Sequence, residues 1–248
     1  MGHDGAGHDG AGREDVKART ADAAGTLATA PYAPESVAAL FAPLPVSVGI
    51  ARVGEYDHDE LPAGLRLSGA GARRRAEFAA GRLAAHRALA AATGRAHWPA
   101  RTATGAPDWP PGVHGSLSHS GTTAVCVVTA APGPGPRIGL DIEPLASAAA
   151  LHRARHLIAR PAELTVITRS TAPPQRTVLT LFSAKEAAYK AVPPALQPRL
   201  SFRAVALAWS PDGAAPHRLR PAYGLPASLT VTSAVVADHV VSAAVHHP

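Results

Sequence analysis

Cysteine is almost absent from this 248-residue chain. Cys126 is the single one, so no internal disulfide framework can form. That usage fits a reducing, cytoplasmic setting. No apolar run approaches the ~18 residues of a membrane-spanning helix, and the Gly- and Asp-rich N-terminus lacks the apolar segment of a signal peptide. No membrane association is expected. Aromatic residues make up only 4% of the chain, and no recognised nucleic-acid module is present, so no nucleic-acid partner is expected. Lysine is scarce: Lys17, Lys185 and Lys190 are the three among 24 basic residues. What is present is a 46% apolar fraction, enough for a real core, and a formal net charge of +6. The charge favours an anionic ligand or partner without naming it.

Residues 1–34 repeat a Gly/His/Asp unit and carry almost no large apolar side chain, so they are expected to be a disordered tail. Order is expected from about Ser36. Residues 70–93 are helix-forming by composition, with Gly94 as C-cap. Ser116–Thr122 reads as a polar turn ahead of the strand TTAVCVVTA. RIGLDIEP reads as a strand stopped by Pro144, and these two strands are expected to pair as a hairpin. VLTLFSAKEAAYKAV is a helix ended by Pro193 and Pro194. LTVTSAVVADHVVSAAV reads as two strands around a turn at Ala237–Asp238. Helices and antiparallel hairpins without regular βαβ alternation make an α+β chain.

Four groups of residues could carry chemistry. Asp141 and Glu143 are two apart on a strand, so both point to one face, where side-by-side carboxylates call for a cation or protons. Mg²⁺ suits such ligands, and a solvated acidic strand face is the ordinary alternative. Glu186 and Lys190 are four apart on one helical face, as are Lys185 and Tyr189 on another; a surface ion pair would look the same. Ser116, Ser118, His119 and Ser120 gather donors beside Gly115 and Gly121, as in a phosphate site or a plain polar turn. Arg74, Phe78 and Arg82 share a helical face, which rims a cleft or faces solvent.

Order and wording join these groups. R-R-x-E-F-x-x-G-R at 74–82, then G-x-P-x-W-P-x-G-x-x-G-S-L-S-H-S, then G-L-D-I-E-P, then F-S-A-K-E-A-x-Y-K-A, closely resembles the 4′-phosphopantetheinyl transferases of the two-lobed Sfp/EntD type. The resemblance runs from about Leu61 to about Val192. It implies a fold of two pseudo-symmetric α/β lobes, 35–144 and 145–248, with the active site in the cleft between them. It implies transfer of 4′-phosphopantetheine from coenzyme A to a serine of an apo acyl or peptidyl carrier protein, releasing 3′,5′-ADP, in polyketide, non-ribosomal peptide or siderophore synthesis. The resemblance also assigns roles. Asp141, Glu143 and Glu186 would hold Mg²⁺. Glu186 would be the base, and Lys190 would sit at the pyrophosphate. Arg74, Arg82, Arg101, Ser118, His119 and Lys185 would contact coenzyme A. A monomer is implied. Ala106 departs from the pattern, standing where many relatives carry a basic residue. A non-catalytic module binding coenzyme A or a carrier protein is the alternative. A Mg²⁺-dependent phosphohydrolase would need a water-positioning group that the sequence does not display.

Overall fold

The computed structural model describes residues 33–103, 105–133, 135–208 and 217–247. The expected tail lies outside them except for its last two residues, and Pro34 already opens helix α1 (Pro34–Ala38). Strand β1 (Ser47–Arg52), the long helix α2 (Ala72–Thr93) and a small hairpin of β2 (Ala100–Arg101) and β3 (Pro107–Asp108) follow. Then come β4 (Val113–Ser120), β5 (Thr123–Ala130) and β6 (Arg137–Pro144). Helices α3 (Ala148–Arg153), α4 (Arg155–Ile158), α5 (Pro161–Arg169) and α6 (Pro174–Ala191) lead to β7 (Ala206–Ala208), β8 (His217–Tyr223), β9 (Leu229–Val236) and β10 (His239–His246).

Local chemistry explains the long helices. α2 is built from Ala, Leu and Arg and ends at Gly94, whose φ of 68° is left-handed and whose N–H donates to the Ala90 carbonyl. α6 starts four residues before the expected Val178, because Pro174 sits in the first turn, where a missing N–H costs nothing. The turn expected at Ala237–Asp238 joins β9 to β10, with Ala237 at φ 53°.

The strands form an antiparallel sheet in the order β1-β5-β4 and a second in the order β6-β10-β9-β8-β7. Two expectations are corrected here. β5 and β6 are not a hairpin: β1 and β4 occupy both edges of β5, and β6 pairs with β10 instead. The Pro/Gly linker between β5 and β6 carries the chain from one sheet to the other. Hydrogen bonding therefore divides the chain before Arg137 rather than after Pro144. Residues 113–120, read partly as a polar turn, are strand β4, because β5 offers them a full ladder from Val113↔Ala130 to Ser120↔Thr123.

Three apolar clusters set the layers. Val125, Val127, Ile138, Leu140, Ile142 and Val241 join the facing sides of the sheets. α2 covers the other side of the first sheet through Ala80, Ala84 and Ala88 against Ala124 and Cys126. α6 covers the second through Ala184, Ala187 and Ala191 against Val231 and Ala244. Cys126 is fully buried, which leaves it a packing residue.

Both helices approach their sheets by the same device. A Cβ on Gly49 of β1 would strike the Ala84 carbonyl oxygen and the Ala88 nitrogen; a Cβ on Gly139 of β6 would strike the Ala187 carbonyl oxygen and the Ala191 nitrogen. The obstacles are backbone and cannot rotate away. Gly49→Ala and Gly139→Ala are each expected to cost about 3 kcal/mol, the upper end of ordinary overpacking, read by urea unfolding. Gly139→Ala should also lower turnover, because it pushes α6 off β6 and separates Glu186 and Lys190 from Asp141 and Glu143. Equal activity losses in the two variants would contradict this.

Candidate active site

β6 is covered on both sides. Leu140 and Ile142 enter the core between the sheets, so Asp141 and Glu143 turn together toward α6. Asp141 is 4% exposed and Glu143 is half-buried, which sets aside the solvated acidic face. From α6, Lys190 Nζ donates to Asp141 Oδ1 (2.9 Å), to the Leu140 carbonyl (2.9 Å) and to Ser118 Oγ (3.2 Å). Ser118 Oγ donates to the same Asp141 oxygen at 3.1 Å. Asp141 Oδ2 is buried without a hydrogen-bond partner.

Asp141, Glu143 and Glu186 share one electrostatic field. Burial, then the charges of Asp141 and Glu186, push the Glu143 carboxyl up to about 7 against the pull of Lys190. Burial and Asp141 likewise raise Glu186, with Lys190 opposing. Among the described residues no group of three His, Cys, Asp or Glu forms a ready-made metal site. The donors nonetheless suit a hard cation: three carboxylates, one with a buried partnerless oxygen and two that resist ionisation beside their neighbours.

The second half of the site is basic. Ser118 points inward, so His119, the next residue of β4, points outward. Arg74 Nη1 lies 3.3 Å from His119 Nε2 and 3.6 Å from Glu77 Oε2. Burial holds the His119 imidazole below its ordinary pKa, with Arg74 and Lys190 adding to the shift and Glu77 opposing it. Two turns along α2, Arg82 is 2% exposed, with its guanidinium 4.7 Å from the Phe78 ring centre. Its Nε and Nη1 are buried without partners. Burial, then the nearby charge of Arg101, lowers its pKa. A buried guanidinium with unpartnered donors beside a second arginine is built to receive an anion.

Two assignments are corrected. Lys185 does not reach this site. Its ammonium, 3% exposed, donates to Glu163 Oε2 (2.7 Å) and to the carbonyls of Phe202 (2.7 Å), Ile158 (2.9 Å) and Val205 (3.1 Å), so its protons are committed to the protein interior. The 100° step between neighbouring helical residues turns Lys185 inward while Glu186 faces the cleft. Ser118 is a positioning residue rather than a ligand contact, because its hydroxyl serves Asp141 and Lys190.

Sequence reasoning missed three residues. Ser116 Oγ accepts from the Leu140 N–H at 2.9 Å and stitches β4 to β6. Glu77 braces Arg73 and Arg74. Glu163 anchors Lys185; the one available signal was its place three residues after Arg160, where a helix-capping acid belongs. Beside the carboxylates, Glu186 also lines a cavity of about 240 Å³ walled by Tyr189, Leu200, Phe202, Val205 and Leu225.

Carboxylates suited to a hard cation, a lysine among them and an adjoining arginine–histidine rim together define a site for a polyphosphorylated ligand. The model of the 4′-phosphopantetheinyl transferase N-terminal domain matches residues 62–129, and that of the 4′-phosphopantetheinyl transferase superfamily matches residues 137–244. The chain belongs to this superfamily. Enterobactin synthase component D of Salmonella typhimurium is 37% identical over 137 residues, covering 55% of this chain and 56% of that protein. Its counterpart in Escherichia coli K12 is 38% identical over 137 residues, covering 55% and 64%. The chain thus spans little more than half the length of these curated relatives. Among solved structures, holo-[acyl-carrier-protein] synthase from Neisseria meningitidis aligns with 45% of this chain and 97% of its own at 23% identity and a TM-score of 0.35. A holo-(acyl-carrier-protein) synthase from Bacillus anthracis, in complex with CoA (3′,5′-ADP), aligns with 44% and 92% at 21% identity and a TM-score of 0.35.

Proposed function

We propose that the chain transfers the 4′-phosphopantetheine group of coenzyme A to a serine hydroxyl of an apo acyl or peptidyl carrier protein, as in siderophore, non-ribosomal peptide or polyketide synthesis. The observation that carries this reading is the junction of two unlike half-sites. Lys190 ties the Asp141/Glu143/Glu186 carboxylates to β4, and the next residue of β4, His119, opens the Arg74/Arg82 rim. A nucleotide with both a pyrophosphate and a 3′-phosphate needs anion contacts at two places, and this junction offers them.

In this reading the 3′-phosphate lies against His119, Arg74 and Arg82, and Lys190 faces the pyrophosphate. The carrier serine oxygen attacks the phosphorus of the phosphopantetheine. A new P–O bond forms, the P–O bond to 3′,5′-ADP breaks, and the serine proton passes to the Glu186 carboxylate. Burial beside Asp141 raises the proton affinity of Glu186, which suits a base. Lys190 balances charge gathering on the departing phosphate. Asp141, Glu143 and Glu186 would hold Mg²⁺, which when bound neutralises pyrophosphate charge. The uncharged pantetheine arm fits the apolar cavity beside Glu186.

The test is intact-protein mass spectrometry of an apo carrier protein incubated with the chain, coenzyme A and Mg²⁺, with an EDTA control. A phosphopantetheine-sized mass gain that EDTA prevents is expected. No gain on any carrier, with coenzyme A still bound, would replace this reading with that of a binding module.

A further inference from the structure

A second depression lies beyond the cavity that Glu186 lines. It has a volume of about 510 Å³ and is walled by Val192, Leu196, Arg199, Leu200, Tyr223 and Pro226. Leu200 lines both, so the two are neighbours across one side chain. The lip of the depression is apolar and exposed: Leu196 is 38% exposed and Tyr223 60%. On α6, Tyr189 and Val192 follow Glu186 by three and six residues, about 4.5 and 9 Å along the helix axis. The depression therefore begins within two turns of the carboxylate.

Charge around it has one sign. Arg199 is the single charged residue among those lining it. The Arg160 guanidinium lies over the Tyr223 ring at 4.3 Å and donates to the Arg203 carbonyl. Residues 155–226 contain ten Lys and Arg against three acids, Glu163, Glu186 and Asp212. Glu163 is buried with Lys185 and Glu186 belongs to the site, so no described acid of this stretch is left to neutralise the arginines.

We infer that this depression is where the acceptor protein docks. It would seat an apolar side chain from the helix beside the acceptor serine, and the arginines would face that helix's acids. The inference rests on the transferase reading above and deepens it. A serine brought to Glu186 comes attached to a folded protein, and that protein must cover one side of the carboxylate. The Arg74/Arg82/His119 side is taken by nucleotide phosphates. The remaining approach lies over α6 toward Tyr189 and Val192, onto an apolar centre with a basic rim. Apolar contact supplies affinity there, and the arginines steer an acidic partner.

Initial-rate kinetics test this, with an apo acyl or peptidyl carrier protein varied at fixed coenzyme A. Arg199→Glu and Leu196→Asp both sit on the surface, and each melting curve is compared with that of the wild type. The expected result is a rise of about tenfold or more in carrier KM for each variant, equivalent to ~1.4 kcal/mol. The coenzyme A KM and kcat should stay near wild type, and Arg199→Glu should flatten the dependence of carrier KM on salt. Unchanged carrier KM in both variants, while the wild type transfers normally, would overturn the docking surface and leave the transferase reading standing. A parallel rise in both KM values would overturn it too, by showing general damage. A change in sedimentation with carrier KM unaltered would assign the depression to self-association instead. A wild type that modifies no carrier would remove the transferase reading, and the docking surface with it.

Discussion

Glu186→Gln is expected to lower the rate of transfer about 10³-fold, within the range attributed to a positioned base, while coenzyme A binding by calorimetry changes by less than about 1 kcal/mol. The substitution keeps the shape of the side chain and removes its ability to take a proton. The Arg74, Arg82 and His119 contacts lie on the other half of the site and are untouched. Asp141→Ala should be as damaging for a different reason. It removes the carboxylate that Lys190 and Ser118 hold, freeing Lys190 from its 2.9 Å ion pair. Any residual rate in that variant should no longer respond to Mg²⁺. Near-normal turnover of Glu186→Gln would remove both its base and its ligand roles.

Lys185→Met is expected to cost about 3–5 kcal/mol, the range for breaking a buried charge pair from one side, and to lower Tm by roughly 10 °C at 2–4 °C per kcal/mol. Lys185 unites four acceptors from three separate segments. Glu163 accepts in turn from Lys185 and the Arg160 N–H through Oε2, and from the Leu207 N–H through Oε1, so the pair pins α5, α6 and β7 together. Glu163→Gln should be far milder, since an amide oxygen can still accept from Lys185. Replacing both partners with apolar residues should not restore stability, because the carbonyls of Ile158, Phe202 and Val205 would remain buried without a donor. Differential scanning calorimetry of the three variants decides the point. Full recovery in the double variant would show that the pair matters only through its charges.

Much of this protein is written in local patterns. The two long helices follow from composition and punctuation: Ala, Leu and Arg closed by Gly94, and a Pro174 start closed by Pro193–Pro194. The shared face of Asp141 and Glu143, and that of Glu186 and Lys190, are consequences of the 2.0 and 3.6 residue periods, which hold wherever the strand and helix go. The four motifs that signal the family are legible for the same reason, each being a run of neighbours.

What the chain does over long separations was not legible. Nothing local to residues 123–144 tells that β5 and β6 part company and that β6 seeks β10 a hundred residues later. Pairing is decided by which edges are free and which faces need cover. The same holds for single side chains. Lys185 and Lys190 are both lysines on one helix, yet Lys185 is buried against Glu163 and Lys190 is aimed at Asp141. Ser118 looks like a phosphate donor in a polar run and becomes the hydroxyl that fixes Asp141. The sequence by itself determined the elements, the faces and the chemical inventory, because these depend on neighbours within a few residues. Only the tertiary structure decided which groups remain free to meet a ligand, because a donor is available only when packing has not already given it a partner.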